Sequence, residues 1–537
     1  MQYLLGIDIG TSSARTILID TDGNILGLAS KEYPISIPMP DWAEQDPETW
    51  WDAAKDTIRQ VLSKSGVDSR SIKGIGLSGQ MHGTVFVDRE GNCLRPAIIW
   101  PDKRSARECQ ELADAVGPKR LYEISGLPVA TGFMATSLLW VKHNEPDILR
   151  KTSKLLLPKD YVRLRLTGKV ATDLTDATGT LLLDITKRAW SGEVVKAVGI
   201  PPDILPNLLE SSAIAGEITS QAAKETGLAM GTPVIAGGGD QAMGAIGSGV
   251  IKDGIAASTI GTGGQLITCV SRPVLDPKRR LHTLCHAVPG KWLLMGAILA
   301  AGLSLRWFRD KFGYAEKLAG ELTGIDPYEI LSREAAKVPA GSDGLIFLPY
   351  LSGERTPHMD PQARGAFVGL TLRHGRGHMI RAIMEGVSFA MKESLEIFRE
   401  LGVSVDKILC SGGGARSRLW RQIQADIYDM PVTIVGNEEH SVYGCALLAG
   451  VGAGIYRDIE EACDGRVQYT DTVRPQDEWT QANQVQMVQS QREPSPVEQP
   501  HVEDPWALSA NACARYRALF EVYRSLYPRL RDIFPEL

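Results

Sequence analysis

Two kinds of hydrophobic pattern alternate along this chain, short runs of β-formers and longer stretches of helical spacing. The first run, Tyr3-Leu4-Leu5-Gly6-Ile7-Asp8-Ile9, gives way to Gly10-Thr11-Ser12-Ser13 and then to Thr16-Ile17-Leu18-Ile19. That pattern predicts strand, tight turn, strand. Asp22-Gly23-Asn24 is a hairpin turn, so a third strand over 25–30 completes an antiparallel meander at one side of a mixed sheet. Past a polar loop at 41–47, Pro47 opens a helix through about Leu62, since its missing N–H has no partner in a first turn.

Short strands over 72–78, 84–87 and 96–100 follow, and two of them end in polar clusters. One cluster is Gly79-Gln80-Met81-His82-Gly83. The other is Trp100-Pro101-Asp102-Lys103-Arg104, where a helix begins. Residues 120–230 are predicted to be mostly helical, with Pro and Gly breaks. A strand over 232–236 then runs into Gly237-Gly238-Gly239-Asp240-Gln241 and a helix of small residues.

The stretch Ser258-Thr259-Ile260-Gly261-Thr262-Gly263-Gly264-Gln265-Leu266-Ile267 repeats the plan of residues 7–13, with Thr259 in the place of Asp8. Two such loops predict two related halves. A helix over 302–312, a strand over 344–350 and a long helix over 378–402 come next. The strand 407–410 delivers Ser411-Gly412-Gly413-Gly414-Ala415-Arg416-Ser417-Arg418, and a helix starts at Leu419. Residues 470–505, rich in Gln and Pro, read as a loosely held linker. A final helix over 511–533, with Tyr516, Leu519, Phe520, Tyr523, Leu526 and Leu530 on one apolar face, is expected to dock on the body.

A length of 537 residues exceeds what one core can serve. The expected division is 1–249, 250–460 and a linker plus helix over 461–537. The net charge of −6 offers no field for nucleic acid or acidic lipid. Eight scattered cysteines without a CxxC pair fit free thiols in a reducing compartment. The N-terminus lacks the layout of a signal peptide, and the longest nearly apolar segment, Trp292 to Leu305, is shorter than the roughly 20 residues of a membrane span. These features predict a cytoplasmic protein.

The chemistry concentrates in the loops. Successive backbone N–H groups at Gly10-Thr11-Ser12 make a concavity for phosphate oxygens. Asp8 beside phosphates makes sense with Mg2+ between them. The same stretch also reads as a hairpin whose polar residues merely satisfy the turn. His82 reads either as a placed ligand or as a satisfied loop histidine. Asp102 and Asp240 both suit a helix N-cap, although three glycines before Asp240 exceed what a cap requires.

The ordering of these pieces resembles the FGGY carbohydrate kinases, of the actin-like and hexokinase-like ATPase superfamily, over about residues 1–455. The resemblance is carried by Gln80-Met81-His82-Gly83, by residues 156–161 (LLPKDY), by residues 348–358 (LPYLSGERTPH) and by Gly412-Gly413-Gly414-Ala415-Arg416-Ser417. It implies an α/β fold of two ribonuclease H-like domains, each a mixed five-stranded sheet flanked by helices, with a cleft between them. It implies ATP as co-substrate, Mg2+, and a sugar acceptor, a 2-ketopentose in the branch it most resembles. Asp240 would be the catalytic base. Met81, His82, Asp102 and Gln241 would bind the sugar. Thr11, Ser12, Ser13, Arg15, Gly261, Thr262, Gly302, Gly414, Ala415 and Arg418 would hold ATP, and Asp8 the metal.

Pro101 and Gln241 stand where that branch usually carries asparagine, so the sugar stays open among ketopentoses, an erythrose-type sugar and glycerol. Met81-His82 argues against glycerol, for which the resemblance calls for Arg-Glu. Gly263 and Ser137 also depart from the family pattern, away from the expected chemistry. A non-catalytic ATP-binding sensor is the remaining alternative. The partners implied are the sugar and ATP, with no nucleic acid and no membrane, and a homodimer left open.

Overall fold

The N-terminal meander forms as the pattern predicts: β1 (Tyr3–Ile9), β2 (Ser13–Asp20) and β3 (Ile25–Glu32) pair antiparallel in sequence order. The computed structural model describes residues 1–476 and 512–537. The predicted linker therefore lies for the most part outside the described residues, and so does residue 511 of the final helix. The chain divides into two compact units. One comprises Met1–Asp253, Cys269–Leu294 and Glu439–Gln468. The other comprises Gly254–Thr268, Met295–Glu438 and Tyr469–Leu537.

In the first unit β1 pairs parallel with β4 (Ile72–Gly79), and the sheet order is β5–β6–β4–β1–β2–β3, where β5 is Ile214–Glu217 and β6 is Pro233–Ile235. The helix Pro47–Ser65 covers one face, burying Trp50, Trp51, Ile58 and Val61 against β2 and β3. The helix His440–Gly452 packs on β1 and β4 and on the helix Asp240–Ser248. It is apolar on nearly every side, as an element enclosed by a sheet and a second helix must be. The two helices approach so closely that a Cβ on Gly247 would lie 2.0 Å from the His440 carbonyl oxygen.

The second unit repeats this plan. Within it the order runs from the strand Trp292–Ile298 through β8–β7–β9–β10–β11, where β7 is Gly254–Ile260, β8 Gly264–Val270, β9 Val405–Ser411, β10 Val432–Val435 and β11 Tyr469–Val473. Both sheets therefore exceed the five strands expected, because short edge strands from distant parts of the chain add to each. Again the first strand pairs antiparallel with the second and parallel with a later one. The register matches as well: Asp8 faces Ser78 in one unit, and Thr259 faces Ser411 in the other.

Several boundaries differ from the sequence reading. The helix expected from residue 101 starts at Ala106, after Ser105. Asp102 is therefore not its cap. The 120–230 stretch contains short strands, among them Lys154–Leu156 and Thr172–Asp173, whose partners lie far away in sequence. Residues 469–473, read as the approach to or start of the linker, form an edge strand against β10.

The helix Ala512–Leu530 docks in the second unit through Tyr516, Phe520 and Tyr523, which cluster with Phe389 of the helix Arg376–Glu400. Tyr516 donates to Glu385 Oε1 (2.7 Å) and accepts from Arg381 Nη2 (2.8 Å). Removing the hydroxyl leaves buried charged groups short of a partner. Tyr516→Phe is expected to lower stability by about 1–2 kcal/mol, read as an earlier urea midpoint with an unchanged slope.

Candidate functional site: a phosphate turn, a buried aspartate and a nucleotide cavity

The Gly10 turn has its carbonyls turned inward. Gly10 O accepts from Tyr33 Oη (2.6 Å) and Gln80 Nε2 (3.4 Å), and Thr11 O accepts from Gln45 Nε2 (2.8 Å). In a trans peptide the N–H points opposite the C=O, so the amide edge of the turn faces away from these anchors. Thr11 Oγ1 accepts from Trp100 Nε1 at 2.9 Å. Ser13 continues into β2 and its carbonyl accepts from Gly10 N. Arg15 faces Asp8 across the strands and is ion-paired to Glu439 at 2.6 Å.

Asp8 lies near the end of β1 with its Oδ1 buried and without a hydrogen-bond partner. Burial raises its pKa, while Ser78 and Arg15 pull the other way. A buried carboxylate oxygen with no donor suits a hard cation. Among the described residues no group of three or more His, Cys, Asp or Glu is arranged to hold a metal. A cation here would therefore have to take most of its ligands from phosphate and water, the habit of Mg2+.

Asp240 is the first residue of its helix, and Gly239 holds the cap position without a side-chain bond. The carboxylate is thus not spent as a cap. Gly239 pairs with Gly79, and Gly79 pairs with Ile9. Two strand spacings of about 4.8 Å put the backbone before Asp240 roughly 10 Å from the end of β1. Burial, and then the charge on Asp8, raise the Asp240 pKa to about 7, with Gln241 hydrogen-bonded to it and working against the rise.

Met81 and His82 come to the same place. A Cβ on Gly239 would lie 2.8 Å from Met81 Cγ, so only glycine lets this side chain lie against the turn. His82 has a φ of +73°, meets the Gly179 carbonyl with Nδ1 (2.7 Å), and has its ring centroid 4.1 Å from that of Phe133. Asp102 is fully engaged: Ala43 N donates to it at 2.6 Å, and Arg104 forms a bidentate pair at 2.7–2.9 Å. The Arg104 guanidinium lies 3.7 Å from the Trp42 ring centroid and 4.9 Å from that of Trp140. Phe133, Gln45 and this Trp–Arg–Trp group escaped the sequence reading.

In the second unit Gly261 and Thr262 form the matching turn, their carbonyls taken by the amides of Ala301, Gly302 and Leu303 at the start of the helix Gly302–Phe312. A Cβ on Gly302 would meet Gly261 O at 2.3 Å. Gly261, Thr262, Gly302 and Gly414 line a cavity of about 350 Å³, with Tyr328, Trp420 and Leu303 as apolar walls and Arg306, Asp326, Glu329 and Ser332 as polar ones. A cavity with glycine backbone at one side and aromatic walls fits a nucleotide. Arg416 and Ser417 also line it. Ala415 is buried, and Arg418 opens the next helix; neither is among the lining residues. Tyr328 and Asp326 carried no motif, although Asp326 followed by Pro327 does read as a helix start.

No helix among the described residues is long and apolar enough to cross a membrane. The family model for the N-terminal domain of FGGY carbohydrate kinases matches residues 3–247, and the model for the C-terminal domain matches residues 256–453. A xylulose kinase of Bacillus subtilis is 37% identical over 533 residues, covering 99% of this chain and 98% of its own. One of Escherichia coli is 36% identical, covering 98% and 99%. A crystal structure described as that of a "xyloylose kinase" from Brucella ovis superposes with a TM-score of 0.84 at 34% identity, covering 99% of this chain and 100% of its own. With two matched units, a glycine-lined cavity and an uncapped aspartate at the mouth of a helix, the chain belongs to the FGGY family of carbohydrate kinases and uses ATP to phosphorylate a sugar.

Proposed function

We propose that the sugar is D-xylulose, phosphorylated at O5 to D-xylulose 5-phosphate, with Asp240 as the general base. The observation that carries this reading is the state of Asp240: partly buried, free of capping duty, and beside both Met81 and the end of β1. Phosphoryl transfer asks for positioning and charge balance more than covalent chemistry. The hydroxyl of the acceptor attacks the γ-phosphorus, the bond to the β-phosphate oxygen breaks, and the hydroxyl proton passes to the Asp240 carboxylate. Mg2+ near Asp8 would neutralise charge on the phosphates. The cavity beside Gly302 and Gly414 takes the nucleotide, with the amides of the Gly261 turn at its edge for phosphate oxygens, and the Gly10 turn offers amides of the same kind in its own unit.

In this reading Met81, His82 and Gln241 contact the sugar. Asp102, paired with Arg104, would contact the sugar hydroxyls beside them. Relatives named xylulose kinase over nearly the whole chain support a ketopentose.

The test is ADP release with a panel of D-xylulose, D-ribulose, erythrulose, glycerol and no sugar. The expected result is a kcat/KM for D-xylulose at least about tenfold above every other acceptor, the discrimination that a missing or misplaced hydroxyl readily gives. Preference for another acceptor would overturn the substrate. A slow rate indifferent to sugar would overturn catalysis in favour of a sensor.

A further inference from the structure

Behind the Gly237–Asp240 turn lie five ionisable side chains with no exposure at all: Lys159, Asp160, Arg163, Asp173 and Asp176. Lys159 Nζ is 2.6 Å from Asp160 Oδ1, 2.9 Å from Asp173 Oδ1 and 3.4 Å from Asp176 Oδ2. Arg163 reaches Asp160 at 2.9 Å and donates to the Ala236 carbonyl at 2.7 Å. These groups touch no solvent, so none of them meets substrate. Their effect on the reaction has to pass through a neighbour.

That neighbour is Thr175. Asp173 Oδ2 accepts from Thr175 N (2.7 Å), Thr175 Oγ1 (2.5 Å) and Ser211 Oγ (3.1 Å). Thr175 Oγ1 in turn accepts from the N–H of Gly239 at 3.0 Å. The direction of this chain is fixed. An ionised carboxylate only accepts and an amide N–H only donates, so the single hydroxyl proton must point at Asp173. A Cβ on Gly238 would lie 2.7 Å from the same oxygen, so glycine there admits the threonine. The far end of the same short stretch offers the Gly179 carbonyl to His82. Residues 173–179 therefore grip the peptide before Asp240 with one end and the Met81-His82 loop with the other.

We infer that Thr175 is a positioning residue for phosphoryl transfer. Its hydroxyl, oriented by Asp173 and through it by Lys159, fixes the Gly239 peptide and with it the direction of the Asp240 carboxylate. The inference rests on the reading of Asp240 as the base. A displacement of about 1 Å at a reacting group costs up to about 100-fold in rate, and the loss of this one bond loosens the Gly238–Gly239 peptide, one residue ahead of the base.

The experiment uses the full chain with ATP and the best acceptor of the panel, in five forms: wild type, Thr175→Val, Thr175→Ser, Asp240→Asn and the Thr175→Val/Asp240→Asn double variant. Thr175→Val keeps the shape and removes the hydroxyl. It is expected to lower kcat at least about tenfold with the KM for ATP within about twofold. Thr175→Ser keeps the hydroxyl and is expected to stay within about threefold of wild type. The double variant is expected to be no slower than Asp240→Asn, because the threonine acts only through that carboxylate.

A merely structural threonine would lower the melting temperature and leave kcat in place, which would overturn the inference. Serine as slow as valine, or a further full loss in the double variant, would do the same. If Thr175→Val does not fold, Thr175→Ala carries the same comparison with Thr175→Ser. Wild-type kcat in Asp240→Asn would instead remove the base itself. A dead Asp240→Asn beside a normal Thr175→Val would leave the base standing and remove only the role of Thr175.

Discussion

Asp240→Asn is expected to lower kcat by at least about 100-fold, the low end of what a general base contributes, while the KM for ATP stays near its wild-type value. Asparagine fills the same space and keeps one oxygen, but it cannot take the proton of the attacking hydroxyl. The cavity proposed for the nucleotide is lined by Gly261, Gly302, Tyr328 and Trp420 and does not include residue 240, so nucleotide binding is not expected to be the property lost.

The pH profile sharpens the test. Burial and Asp8 raise Asp240 to about 7. A base must be ionised to accept a proton, so wild-type kcat/KM falls as the pH drops through the Asp240 pKa. A cation at Asp8 removes the second cause of the rise and moves this limb to lower pH. In Asp240→Asn that limb disappears from the residual rate. An unchanged kcat, or an unchanged acidic limb, would take Asp240 out of the role.

What could be read from the sequence was local. The Gly10 turn, its echo at Gly261, the glycines before Asp240 and the helix opening at Gly302 all declare themselves within a dozen residues, because each is a turn forced by small residues between apolar runs. The replacement of Asp8 by Thr259 was visible too, and the fold gives it a consequence: Thr259 meets Ser411 across the strands at 2.9 Å, a hydroxyl pair where the other unit has a carboxylate beside a serine. What could not be read depends on partners distant in the chain. Asp102 suits a helix cap by sequence, yet the helix starts after Ser105, Ala43 and Arg104 bond its carboxylate, and Arg104 in turn lies against Trp42 and Trp140. The helix His440–Gly452 packs on β1 and β4, more than 350 residues earlier, although it follows directly on strands of the other unit. Its apolar surface announced burial without saying beside what. Thr175 carries no motif at all, and its significance appears only when Gly239 is found at its hydroxyl.

Lys159→Met is expected to destabilise the first unit by about 3–5 kcal/mol, the cost of breaking a buried ion pair from one side. Burial alone would lower the lysine pKa, but Asp160, Asp173 and Asp176 outweigh it and hold the ammonium charged. Lys159 and Arg163 keep Asp160 below its usual range against the pull of burial, whereas Asp176 is pushed well above its own, chiefly by burial. Two cations, Lys159 and Arg163, face the carboxyls of Asp160, Asp173 and Asp176. Methionine matches the stem of lysine in length but leaves one carboxylate without a counter-charge at zero exposure.

The sign of the pH effect follows. An unpaired buried carboxylate has a folded-state pKa above its unfolded value, so stability is present at low pH and is lost as pH rises through the folded value. The deficit of Lys159→Met against wild type should therefore be larger at pH 8 than at pH 5. Urea unfolding followed by the fluorescence of Trp50 and Trp51 in the first unit reads it, fitted as a separate transition where the two units do not unfold together. A deficit under about 1 kcal/mol at both pH values would mean that the charges compensate without the lysine, and Asp173 would lose its reason to hold Thr175 in one orientation.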